Sequence, residues 1–386
     1  MRNRHPWIFS GAVKTVPPGA AAGEIISVSD EDGKIFARAA FNPKSDIVLR
    51  IISRDAGETI DETWFLNRLK TAAALKERLL CIGEFPEDKK NYRLIYSEAD
   101  GVPGLVIDRY GKVFVIQCQT LFADKNRMLW LDIIKKLFRP SAVFEKSDAE
   151  VRKREGLTDM PSGLLYGALE KDFFIDEDGF KINIDISGGQ KTGFFLDLRG
   201  ARRRVEHWCR ALGTGRLQNY FGYTGGFGLY AARAGVKKME HIDSSAPANL
   251  LAEENFRMNG FDGSVKIITS DAFEYLNKTE NGSVDGIILD PPSFVKRREN
   301  INNALDGYRR LNSAAMAKLS IGGLLVTFCC SSYVSEDDFR KVLFKASSSA
   351  GCGMRVLERT GHDPDHTLLL DFPEGRYLQG WILLKE

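Results

Sequence analysis

The chain has little of what would tie it to a membrane, an oxidising compartment or a metal. No run of about 18 uncharged apolar residues occurs. The first residues, Met1-Arg-Asn-Arg-His-Pro6, lack the apolar stretch of a secretory leader, so a cytoplasmic protein without a membrane partner is expected. The six cysteines (Cys81, Cys118, Cys209, Cys329, Cys330 and Cys352) show no C-x-x-C spacing and include one adjacent pair, which argues against a zinc ribbon or disulfide framework and predicts free thiols. Five histidines form no i,i+4 pair on a convincing helix, because Pro364 interrupts the one pair so spaced, His362 and His366; no metal is expected. Charge of either sign is nearly balanced, 54 basic against 52 acidic side chains, so the net charge neither demands nor excludes a polyanionic partner.

What is present is a long chain with a globular apolar content of 43%, enough for two or three domains. Residues 1–60 alternate apolar and polar positions between turn signals, predicting a small β-rich unit. A helical connector follows over 61–80, then a mixed segment with a strand at 113–118 and a helix at 126–138. Ser97-Glu-Ala-Asp-Gly-Val-Pro-Gly104 reads as a structural turn. From about residue 181 strands and helices alternate strictly. Strands are predicted at 218–221, 238–243, 265–269, 284–290, 323–329, 354–359 and 380–384, with helices at 226–234, 246–259, 272–277, 302–319 and 336–348. The fold class is therefore α/β with a doubly wound sheet at the C-terminus, and the domain division is 1–70, 71–180 and 181–386.

The first strand of that sheet runs into Phe221-Gly222-Tyr223-Thr224-Gly225, a glycine-rich turn that opens a helix, as nucleotide pockets require. Lys238-Met-Glu-His-Ile-Asp243 ends a second strand in a carboxylate suited to a ribose diol. Asp271, followed by Ala272, ends the third and could accept from an adenine amino group. Both acids also occupy positions where Asp caps helices. Asp290-Pro291-Pro292-Ser293 decides among nucleotide enzymes: a rigid polar turn after a strand holds a flat base beside a methyl donor. Together these elements point to a methyltransferase using S-adenosylmethionine. Cys330 ends the fifth strand beside the expected position of Asp290, and alternation puts Cys329 on the opposite face. A thiolate there is a nucleophile, although buried cysteine is more often inert packing. Ahead of the sheet, Gly188 to Arg199 is either a lid, with Thr192 supplying a hydroxyl and Phe194 a ring, or a plain hairpin between domains. Basic runs at Arg2 and Arg4, Arg50 and Arg54, Arg152-Lys-Arg154, Arg202-Arg-Arg204 and Lys296-Arg297-Arg298 read mostly as solvated faces. The last lies beside the substrate mouth, where phosphates need partners.

Taken in order, His5-Pro-Trp-Ile-Phe-Ser-Gly11, Ser97 to Gly104, Ser147-Asp-Ala-Glu-Val-Arg-Lys-Arg-Glu-Gly156, Lys191-Thr-Gly-Phe-Phe-Leu-Asp-Leu-Arg199, Tyr223-Thr-Gly-Gly-Phe227, Asp290-Pro-Pro-Ser-Phe294, Phe328-Cys-Cys-Ser331 and Phe372-Pro-Glu-Gly375 resemble the bacterial 23S ribosomal RNA cytosine-C5 methyltransferases with an N-terminal PUA domain. The resemblance covers nearly the whole chain. It implies an RNA-binding PUA domain, a central α/β domain and a Rossmann-like class I methyltransferase domain, with S-adenosylmethionine as cofactor and ribosomal RNA as partner; the sequence leaves open a homodimer. By matching, Thr192, Phe221, Gly222, Tyr223, Thr224, Gly225, Asp243, Asp271 and Ala272 would line the cofactor, Cys330 would be the nucleophile, and Asp290 with Pro291, Pro292 and Ser293 would face the base. The chain starts almost at His5-Pro-Trp7, so a PUA sheet short of a basic N-terminal strand is expected, and the second cysteine at 329 leaves a one-residue choice of nucleophile. The rival chemistry is methylation of an exocyclic amine or purine nitrogen, which shares the Asp-Pro-Pro turn and needs no thiol; the rival class is an RNA-binding protein without catalysis.

Overall fold

The computed structural model describes residues 4–158, 162–295 and 298–386. The chain divides into two compact units. The first comprises Met1–Ile175, Asp185–Leu196 and Pro364–Gly375; the second comprises Asp176–Ile184, Asp197–Asp363 and Arg376–Glu386.

The first unit opens with a four-stranded antiparallel sheet among the described residues, β1 (Trp7–Ile8), β2 (Ile25–Ser29), β3 (Ile35–Phe41) and β4 (Leu49–Ser53), in the order β1-β4-β3-β2. Alternation along β3 sends Ala37, Ala39 and Phe41 into a small core with Ile8, Leu49 and Ile51. Helix α1 (Glu62–Leu79) starts where the Asp61 carboxylate accepts the Trp64 N–H at 2.9 Å. Its apolar stripe, Phe65, Leu69, Ala72 and Ala73, joins the core of a second sheet. That sheet is β5 (Asn91–Tyr96), β6 (Leu105–Tyr110), β7 (Val113–Cys118), β8 (Ala142–Glu145) and β9 (Gly163–Gly167) in sequential order, accompanied by α2 (Leu121–Lys125), α3 (Arg127–Phe138) and α4 (Ala149–Arg154). The Ser97–Asp100 segment is the expected structural turn: the Asp100 carboxylate accepts the Tyr96 N–H at 2.6 Å, and Glu98 accepts from Trp7 Nε1 at 2.7 Å and Arg50 at 2.9 Å.

A hairpin of β10 (Phe173–Glu177) and β11 (Phe180–Ile184) lies where the chain enters the second unit. There follow α5 (Arg199–Leu212), β12 (Arg216–Tyr220), α6 (Gly226–Arg233), β13 (Lys238–Asp243), α7 (Ala246–Met258), β14 (Val265–Thr269), α8 (Ala272–Lys278), β15 (Val284–Leu289), α9 (Ile301–Lys318), β16 (Leu319–Cys330), α10 (Glu336–Ala350), β17 (Met354–Thr360) and β18 (Leu378–Lys385). Among the described residues this sheet has seven strands in the order β14-β13-β12-β15-β16-β18-β17, and β18 runs antiparallel to both neighbours. The order reverses between β12 and β15, and open α/β sheets bind ligands outside the carboxyl ends of the strands at such a switch point. No helix of the described residues is long and apolar enough to cross a membrane.

Two expectations are corrected. Helix α5 was not foreseen, because its inner face substitutes arginine for apolar residues: Arg199 and Arg202 are buried with Ala201, Val205 and Cys209. The Arg202 guanidinium forks onto Glu177 at 2.7 and 2.8 Å, and Arg199 reaches Glu177 and Asp363, each at 3.2 Å. Nor are the basic runs solvated throughout, since single arginines within them turn inward. Arg50 spans Glu98 and Glu155, and Arg152 is buried on Asp124 and the Cys118 carbonyl.

Candidate functional site

The carboxyl edge of the second unit's parallel strands gathers most of the predicted residues. β12 ends at Tyr220, and the turn to α6 holds two non-glycine residues in the left-handed region, Phe221 (φ 58°) and Tyr223 (φ 49°), with Gly225 (φ 88°) capping the helix. Such backbone costs about 1–3 kcal/mol per residue and persists only where surroundings impose it. Here they do. The Gly222 N–H donates to the Ile242 carbonyl at 3.2 Å, the Tyr223 N–H to Asp243 Oδ2 at 2.9 Å, and the Gly225 N–H to the Gly222 carbonyl at 2.9 Å. Buried Asn255 of α7 donates from Nδ2 to the Thr224 carbonyl at 2.9 Å. Gly222 needs its missing side chain for space: a Cβ there would lie 2.3 Å from His241 Cε1.

Asp243 closes β13 with its carboxylate fixed by two backbone N–H groups, Tyr223 on Oδ2 and Ser245 on Oδ1 at 2.8 Å. A carboxylate has about four acceptor positions, so two remain for ligand hydroxyls. These acceptor positions fit the two hydroxyls of a ribose diol, as a nucleoside cofactor requires. Asp271 caps α8, its Oδ1 accepting from the Phe273 and Glu274 N–H groups at 2.8 and 3.1 Å, which leaves Oδ2 outside those bonds; the next residue, Ala272, is buried. Behind the turn, His241 is fully buried, and burial pushes its pKa down to about 4.

On the other side of the switch point, β15 and β16 pair in parallel through Leu289 and Thr327, which brings the residues beyond them together. Cys330 Sγ lies 3.8 Å from Asp290 Oδ1. The neighbouring cysteine is different: Cys329 is wholly buried, and burial pushes its thiol up to about 12, so it stays protonated. Pro291 is buried and Pro292 exposed, while the Ser293 hydroxyl donates to the Val295 carbonyl at 3.0 Å and accepts the Val295 N–H at 3.3 Å, locking the turn. Phe294 lies against buried Tyr308 of α9, ring centroids 4.5 Å apart.

Thr192 and Phe194 belong to the first unit, where the Thr192 hydroxyl donates to Asp108 Oδ2 at 2.6 Å and is 3.0 Å from the Tyr110 hydroxyl, and Phe194 is buried. Lys296, Arg297 and the side chain of Arg298 lie outside the described residues. Sequence reasoning missed His241, Asn255 and Tyr308. The signal for the first was a polar residue at an inward position of an apolar strand.

Residues 151–369 match the S-adenosylmethionine-dependent methyltransferase family, and residues 1–54 match the PUA-like domain. Over 386 residues the chain is 37% identical to ribosomal RNA large subunit methyltransferase I of Alteromonas mediterranea, covering 99% of this chain and 95% of that one. The chain belongs to this methyltransferase family. Its cofactor is S-adenosylmethionine, and its fold joins an N-terminal PUA-like domain to a Rossmann-like methyltransferase domain. The protein of the same name from Shewanella denitrificans is 38% identical, with 99% of this chain and 96% of the relative covered. Among solved structures, that of SMU.776 complexed with SAH superposes with a TM-score of 0.82 at 20% identity over 99% of this chain and 96% of that one, a likeness of fold.

Proposed function

We propose that the chain methylates carbon 5 of a cytosine in large-subunit ribosomal RNA, with Cys330 as nucleophile and Asp290 as its acid–base partner. The observation that carries this reading is the 3.8 Å approach of the Cys330 sulfur to Asp290 Oδ1 at the switch-point edge, with Cys329 buried away from it. Methyl transfer to an exocyclic amine or purine nitrogen has no use for that thiol. The names of the relatives and the PUA-like match support ribosomal RNA as the substrate.

The target base leaves its stack at a cost of a few kcal/mol and lies on the rigid Asp290-Pro291-Pro292-Ser293 turn. Asp290 takes the thiol proton and shares it with ring nitrogen 3. The Cys330 sulfur bonds to carbon 6, and the double-bond electrons then make carbon 5 nucleophilic. The 221–225 turn, Asp243 and Asp271 with Ala272 would hold the cofactor, which would supply an electrophilic methyl group. Once carbon 5 is methylated its proton leaves to water, the double bond re-forms, and Cys330 is expelled as thiolate. Fixing donor and acceptor in one geometry supplies much of the rate.

The test is ribosomal RNA carrying 5-fluorocytosine. Fluorine blocks proton loss from carbon 5, so a covalent protein–RNA adduct through Cys330 accumulates, and Cys330→Ala forms none. A product methylated on an exocyclic amine, or full activity in Cys330→Ala, overturns the reading in favour of the thiol-free chemistry.

A further inference from the structure

The parallel strands of the second unit hold their cofactor residues at one edge, and the opposite edge has its own chemistry. Arg216 opens β12, Lys238 opens β13 and Lys266 is the second residue of β14. In register, Arg216 pairs with Lys238 and Glu240 with Lys266. Alternation along each strand therefore puts Arg216, Lys238, Glu240 and Lys266 on one face. With Lys237 they line an open groove of about 430 Å³, and beyond Arg216 the adjoining depression reaches Lys278.

Several arginines elsewhere in this unit are matched: Arg199, Arg202, Arg203, Arg204 and Arg233 each hold a carboxylate. In the groove, Arg216 is 3.4 Å from Glu240, while the exposed Lys237, Lys238 and Lys266 pair with no carboxylate among the described residues. Four cations thus face one acid, across three strands spaced about 4.8 Å apart. Lysine on an edge strand also discourages strand addition. That accounts for Lys266 on β14 but not for Lys237 and Lys238, which lead into an internal strand.

We propose that this amino-terminal edge is a second RNA-binding surface, which takes the phosphodiester backbone of the substrate away from the target base. The proposal rests on the RNA-methylation reading above. Strands of five or six residues put the groove roughly 17–20 Å from the carboxyl edge, so a long RNA reaches both and a short one does not. Each lysine that neutralises a phosphate releases counterions, and affinity then falls with salt at a slope of about 0.7–0.9 per contact.

The experiment compares the full-length protein with Lys237→Gln/Lys238→Gln/Lys266→Gln and with Lys238→Gln alone. Affinity for transcribed large-subunit ribosomal RNA is measured against salt, with methyl-transfer kinetics and S-adenosylmethionine titration alongside. The triple variant is expected to lose about 2–3 units of log–log slope and the single variant just under one. KM for the long RNA rises, while kcat, cofactor affinity and KM for a short oligonucleotide centred on the methylated base stay as in the parent. An unchanged slope and unchanged KM for long RNA overturn the proposal while leaving the functional reading intact. A parent protein that neither binds nor methylates the RNA overturns both. Poly-glutamate binding that depends on these lysines, with the RNA slope unaffected, assigns the groove to an acidic protein and also overturns it. If the triple variant loses cofactor affinity through misfolding, the slope of Lys238→Gln decides.

Discussion

Replacing Gly222 with alanine sets a methyl carbon where His241 already stands. The nearest ring atoms would be Cε1 at 2.3 Å, Nδ1 at 2.6 Å and Nε2 at 2.8 Å, against about 3.5–4.0 Å for an ordinary contact between carbons. The ring has no room to withdraw, being fully buried and packed edge-on to Phe256, with centroids 5.8 Å apart. The loop must yield instead. Its movement stretches the Gly222 bond to Ile242 and the Tyr223 bond to Asp243, the two contacts that fix the turn to β13. Overpacking of this kind costs about 1–3 kcal/mol, which corresponds to a loss of about 5- to 150-fold in affinity where the strain falls on the binding turn. Calorimetric titration of Gly222→Ala with S-adenosylmethionine measures it. His241→Ala removes the obstacle, so the double variant should bind more tightly than Gly222→Ala alone, giving a favourable coupling energy between the two sites. Parent affinity in Gly222→Ala, or a double variant weaker than the two single effects combined, refutes the steric argument.

Asp243→Ala should weaken cofactor binding by about 1.5–3 kcal/mol, the scale of hydrogen bonds to a charged group, and unchanged affinity in the same titration removes Asp243 from the site. Cys330→Ala should abolish methyl transfer to ribosomal RNA with cofactor affinity retained, while Cys329→Ala stays active; labelled-methyl transfer distinguishes them. His241 gives a pH dependence. Its folded pKa of about 4 lies below the ordinary 6.5 despite the opposing pull of Asp243, so between those values the unfolded chain binds a proton that the folded one refuses. Stability is then fully present above pH 6.5 and falls by roughly 3 kcal/mol as pH drops to 4. Urea unfolding of the parent and His241→Gln across that range should differ by this slope, and parallel curves would show that the ring titrates normally.

The sheet was legible because its strands are short apolar runs between turn signals: β13 and β14 were read with the bounds they have, and β12 and β15 within a residue or two at each end. β16 was read from residue 323, yet the strand starts at Leu319 and absorbs Gly322 at φ 77° through a shift of register against β15. Helix α5 stayed hidden for the reason that hid the buried arginines: a side chain's partner, here Glu177 for Arg202, is set by tertiary packing, and no local period reports it. The adjacent cysteines show what alternation can and cannot tell. It placed them on opposite faces, but which face meets Asp290 required the pairing of β15 with β16.

The position of β18 bears on how the enzyme comes into being. β18 lies between β16 and β17, with Leu378 opposite Cys330, and among the described residues β17 has no other neighbour in the sheet. During synthesis β16 therefore presents one flank of open backbone groups until residues 378–385 emerge from the ribosome, and β17 has nothing to pair with before then. The strand that bears the thiol is sealed last. A nascent chain that stops short of Leu378 carries every residue named in the site yet has an unpaired strand edge beside Cys330, which makes the arrival of residues 378–385 the step that finishes the sheet.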